Sequence, residues 1–84
     1  MTKSHYTALI KAELSALKDK EKAQKWMHIT LRSAEERHAH KELTTQEMVL
    51  IQEVLRGQIV EAKEEELIIL KRIASLAGRR EEEN

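Results

Sequence analysis

Leu43-Thr44-Thr45-Gln46-Glu47-Met48 divides the chain in two and decides its fold. Thr44 followed three residues later by Glu47 is a capping box. The threonine hydroxyl accepts from the Glu47 N–H, and the Glu47 carboxylate reaches back to the Thr44 N–H. Leu43 and Met48 occupy the flanking positions of a hydrophobic staple. A helix therefore starts at about Thr45, and the chain reverses direction at about residues 41–44.

Outward from this point almost nothing interrupts a helix. The 84 residues contain no Pro and two Gly, at 57 and 78. Ala, Leu, Glu, Lys, Gln and Arg dominate, all good helix formers. The first helix is expected over about residues 4–40, capped by Ser4 or Thr2. Tyr6, Ile10, Leu14, Leu17, Met27, Leu31 and Ala34 fall on one broad side of it. Lys18-Asp19-Lys20-Glu21-Lys22 interrupts that pattern, but no Gly or Pro demands a break there. In the second helix Leu55, Ile59, Ala62, Glu66, Ile69, Ile73 and Leu76 alternate steps of four and three, a heptad-like seam. Gly78 marks its expected end at about Ala77, with a frayed tail over 79–84.

We therefore read one all-α domain, a long antiparallel helical hairpin in which residue i faces about residue 84 − i. Lys18, Lys20 and Lys22 then stand level with Glu61 to Glu66, and Trp26 with Gly57. Residues 1–43 carry nine Lys/Arg against six Asp/Glu, and residues 44–84 carry six against nine. Two helices of opposite charge suit each other. One partner helix cannot cover the apolar runs at 48–51 and 67–70, which surround the second helix. The surface of Val49, Leu50, Val60, Leu67 and Ile68 is the natural oligomer face, and a homodimer forming a four-helix bundle is the simplest closed solution.

Several functions lack their chemistry here. With no Cys there is no disulfide, thiolate metal site or Cys nucleophile. Ser4, Ser15, Ser33 and Ser75 have no nucleophile elbow around them, and no Gly-rich phosphate loop exists. We expect no enzyme. Glu35 and His38 share the i, i+3 spacing by which di-iron bundles place ligands. The only seam carboxylates, Glu13 and Glu66, stand at other levels, so metal binding through Glu35 and His38 is a remote alternative. We expect no metal and no cofactor. No apolar run is long enough to cross a membrane, and the expected location is cytoplasmic.

What remains is recognition by helix faces: a regulator, inhibitor, adaptor or assembly factor whose partners are a second copy and another protein. Trp26, with Ile29 beside it, lies off the main apolar face, and Trp is enriched at binding hot spots. Gly57 sits mid-helix, where Ala is more stable unless a neighbour crowds the backbone. The expected partner interface is Trp26, Ile29, Leu50, Gly57, Leu67 and Ile68. The alternative is a hairpin dimer that meets RNA or DNA through Lys11, Lys18, Lys22 and Lys25, weakened by the interspersed Asp19 and Glu21.

Overall fold

The computed structural model describes residues 2–83. Two helices account for nearly all of them: α1, Lys3–Ala39, and α2, Thr45–Glu82. They pack against each other along their whole length as an antiparallel hairpin, a rod of 63 × 14 × 11 Å between Cα atoms. Among the described residues there is no strand.

The turn is built from two interlocking caps. At its near end the Lys41 N–H bonds the His38 carbonyl at 3.0 Å and the Glu42 N–H bonds the Arg37 carbonyl at 2.9 Å. This is a Schellman motif, with Lys41 in the left-handed position at φ 62°. At its far end the Glu47 N–H donates to Thr44 Oγ1 at 3.1 Å, and the Thr44 N–H donates to Glu47 Oε1 at 3.0 Å. These bonds hold the Glu47 carboxyl below its ordinary pKa, the backbone bond from Thr44 contributing most. The α1 start is capped by Thr2, whose hydroxyl accepts from the His5 N–H.

Packing follows one continuous seam on each helix. On α1 the inward positions are Tyr6, Ile10, Glu13, Leu17, Lys20, Gln24, Met27, Leu31, Ala34 and His38, in alternating steps of four and three. On α2 they are Met48, Gln52, Leu55, Ile59, Ala62, Glu66, Ile69, Ile73, Leu76 and Arg80, in the same rhythm. Every one of these residues is buried or half-buried. The seven α2 residues expected on the seam all lie on it.

Four expectations are corrected. Leu14 is not in the core: it is 44% exposed, and Glu13 takes the seam position, because the step of three from Ile10 falls on residue 13. The helices are offset by about two residues from the expected register. Cross-hairpin pairs Lys20–Glu65, Glu13–Arg72 and Thr7–Arg80 set residue i opposite about residue 86 − i. Trp26 therefore stands level with Val60, not with Gly57. Finally, α2 runs on to Glu82 in place of ending at Ala77 with a frayed tail. Gly78 has no positive φ, and Arg80 anchors the last turns by donating from Nε to Thr7 Oγ1 at 2.9 Å. The end of the expected tail, residue 84, lies outside the described residues.

Two predictions follow from the turn. Lys41 holds a conformation that costs an L-residue about 1 kcal/mol and glycine little. Lys41→Gly should raise the melting temperature by a few degrees, and an unchanged or lower value would mean the left-handed turn is not what limits it. Glu47 has a depressed pKa when folded, so the stability it contributes is present above its unfolded pKa and is lost as pH falls through the folded one. Acid titration of the melting temperature should show a loss in that range that Glu47→Gln abolishes.

Candidate interaction surfaces

A seam one stripe wide leaves little inside. Tyr6, Ala34, Met48, Ile59, Ala62 and Ile69 are buried, and among the described residues no side chain falls below 2% exposure. Eleven large apolar side chains are exposed among the same residues, from Leu9 at 36% to Trp26 at 63%. They are distributed over the two broad sides of the rod and its outer edges.

One side carries Trp26. It lies one and two turns before Thr30 and Ser33, on the same strip of α1. The Thr30 hydroxyl donates to the Trp26 carbonyl at 2.8 Å. Across the seam Thr30, Ser33 and Arg37 face Leu50, Ile51 and Val54, and between them runs an open groove of about 610 Å³ closed toward the turn by Leu43. Farther along, Ile68 lies on the same strip of α2 as Val54, at fourteen residues' distance. Two charge contacts cross the seam on this side, and Arg37 has none among the described residues. Lys20 pairs with Glu65, and Arg72 stands 4.0 Å from Glu13.

The other side carries lysines. Thr7, Lys11 and Leu14 of α1 share a groove with Ala77 and Glu81 of α2, which fixes the orientation of both helices there. Steps of seven from Lys11 place Lys18, Lys25 and Arg32 in one stripe. Beside it Val60, Leu67 and Leu70, exposed by 55, 53 and 49%, form an apolar track on α2 that Lys63, also exposed, interrupts between Val60 and Leu67. Among the described residues none of these four basic side chains has an ion pair or hydrogen bond within the chain.

The expected interface residues therefore do not form one patch. Trp26 and Ile68 share the first side, with Leu50 at its edge. Leu67 lies on the second side, and Ile29 on the outer edge of α1. Gly57 is exposed on the outer edge of α2, where an added Cβ meets nothing within 4 Å, so no side chain of the hairpin explains it. Of the expected nucleic-acid contacts Lys11, Lys18 and Lys25 are aligned; Lys22 is displaced toward the outer edge, beside Asp19 and Glu21. Leu43, Ile51 and Val54 were missed as groove residues; extending the α2 seam rhythm back to Met48 is the signal that locates them. Glu35 is exposed, and His38 is half-buried with Nε2 3.4 Å from Thr45 Oγ1. Among the described residues no three His, Asp or Glu side chains gather as metal ligands. No described helix is long and apolar enough to cross a membrane.

No protein-family model, curated protein or solved structure matches the chain.

Open space at Gly57 gives a direct prediction. Gly57→Ala should stabilise the isolated hairpin by about 1 kcal/mol, read as a rise of several degrees in melting temperature. A fall would reveal a neighbour, from another molecule, resting on the α2 backbone.

Proposed function

We propose that this chain is a non-enzymatic interaction module that recognises proteins through its helix faces and pairs with a second copy of itself through the Trp26 side. The observation that carries this is the amount of surface left over. A compact monomer of 9.8 kDa exposes about 5,200 Å². The hairpin exposes 6538 Å². The excess, roughly 1,300 Å², exceeds the ~800 Å² that each partner contributes to a standard protein interface.

The Trp26 side suits self-pairing better than its opposite. Its groove is mainly apolar, its neighbouring strip on α1 is low because Ala16, Ala23, Thr30 and Ser33 are small, and two of its cations, Lys20 and Arg72, already have carboxylates beside them. Two such sides brought together bury Trp26, Ile51 and Val54, with the Arg37 head group left at the edge of the groove. The stripe of Lys11, Lys18, Lys25 and Arg32 supports a second reading, contact with a nucleic-acid backbone. The apolar side chains beside it have no use in phosphate binding.

Light scattering at micromolar concentration tests the proposal. A mass of twice 9.8 kDa is expected, and Trp26→Ala should weaken the association by at least about 2 kcal/mol with helix content unchanged by circular dichroism. A stable monomer, or a dimer indifferent to Trp26→Ala, would overturn the assignment of this side.

A further inference from the structure

We infer that the lysine side is a docking site for an acidic amphipathic helix of another protein, an inference that rests on the interaction-module reading but uses a different face.

The side combines two features that one ligand class satisfies together. Lys11, Lys18, Lys25 and Arg32 recur every seven residues along α1. At 1.5 Å per residue the stripe is about 32 Å long. On α2 lie Val60, Leu67 and Leu70, about half exposed, on the same side of the rod as Leu14 of α1. A helix laid along the rod presents its own apolar stripe at the same three-four rhythm and its flanking residues at the same seven-residue repeat. Carboxylates on that flank meet the four cations in register. The occupant is therefore an amphipathic helix of about 20 residues with Asp or Glu along one edge of its apolar stripe.

A second copy of this chain does not meet the requirement. If the lysine sides of two copies pair antiparallel about the middle of the apolar track, Lys18 lies near Lys25 of the other copy and Lys11 near Arg32. If they pair parallel, α1 lies over α2 of the other copy and the lysines sit on Val60 and Leu67, which removes charge from water without a counter-charge. The carboxylates must come with the ligand. A phosphate backbone brings negative charge but leaves the apolar track exposed. An anionic bilayer would be touched along one strip, leaving most of the rod outside.

The experiment is fluorescence anisotropy with the full-length protein and three labelled 22-residue helical peptides. The first has Leu at its heptad seam and Glu along one flank. The second replaces each Glu by Lys. The third keeps Glu but replaces Leu by Gln. We expect saturable binding of the first, weakening as salt is raised, and at least about tenfold weaker binding of the other two, as expected when several rim ion pairs and an apolar contact act together. The triple variant Lys11→Glu/Lys18→Glu/Lys25→Glu should abolish it, and the milder Lys18→Gln/Lys25→Gln should reduce it several-fold with helix content unchanged. Equal binding of the Glu and Lys peptides, or binding untouched by either variant, overturns the proposal. So does tighter binding of a 20-nucleotide RNA or of phosphatidylserine vesicles that the same variants abolish. Trp26→Ala should leave peptide binding intact. Failure of the peptides with Trp26-dependent dimers preserved removes this site alone, whereas loss of the dimer result removes the self-pairing reading.

Discussion

Two helices that touch along one line can each bury one stripe and no more. In this chain that stripe runs from Tyr6 to His38 on α1 and from Met48 to Arg80 on α2, without a skipped step. The seam fixes which residues are inside, and by subtraction it fixes both broad sides of the rod. Apolar side chains one position off it, such as Leu14, Ile68 and Leu70, cannot be fully covered by the partner helix whatever their hydrophobicity. A three- or four-helix bundle from one chain would have hidden them; a hairpin displays them. The surplus surface is thus a consequence of the architecture and not an irregularity in it.

The seam is also unusually polar for the only core the molecule has. Glu13, Lys20, Gln24, Gln52, Glu66 and Arg80 occupy inward positions. The amide nitrogen of Gln24 is buried without a hydrogen-bond partner, at a cost of order 1–3 kcal/mol. Such residues weaken a helix pair but distinguish its registers. In the observed alignment Lys20 is level with Glu66 and pairs with Glu65. A slip of one heptad in either direction sets Lys20 against Ile59 or Ile73. The polar layers near the middle and the double cap at the turn point to the same register, one by penalising alternatives and the other by fixing where α2 begins.

The same polar residues explain what was legible in the sequence. Thr44 and Glu47 announced the turn because a capping box is a local signal, formed among residues three apart. The α2 seam was legible from Leu55 to Leu76 because only Glu66 interrupts it. The α1 seam was not, because Glu13, Lys20 and Gln24 stand where apolar residues were sought, and Leu14 filled the gap one position too late. The register was misjudged by two residues because Lys41 adopts a left-handed conformation that no glycine signalled, so the length of the turn could not be counted from composition. Gly78 gave a false stop: glycine ends a helix only where the chain needs a positive φ, and Arg80 instead carries α2 onward to meet Thr7. The expected interface residues were individually exposed, but their division between two sides depended on their angle from each seam.

Charge shows most plainly how the fold converts composition into surface. The first half of the chain has three more cations than anions and the second half three fewer. Side by side, two such helices have every opportunity to neutralise one another. Yet across the seam only Lys20–Glu65 and the looser Arg72–Glu13 contact form among the described residues, and both lie on the Trp26 side. The reason is angular. A residue pairs across a two-helix seam only if it is on the seam or directly beside it, and Lys11, Lys18, Lys25 and Arg32 lie one further step round α1. The carboxylates of Glu61 and Glu64 are likewise turned away on α2. The imbalance that looks like intrachain complementarity in one dimension becomes, in three, a pair of oppositely charged edges facing outward. One broad side holds both cross-seam charge contacts beside an apolar groove, the other an unpaired basic stripe beside exposed apolar side chains, and that difference separates a surface suited to its own copy from one that requires a ligand bringing its own negative charge.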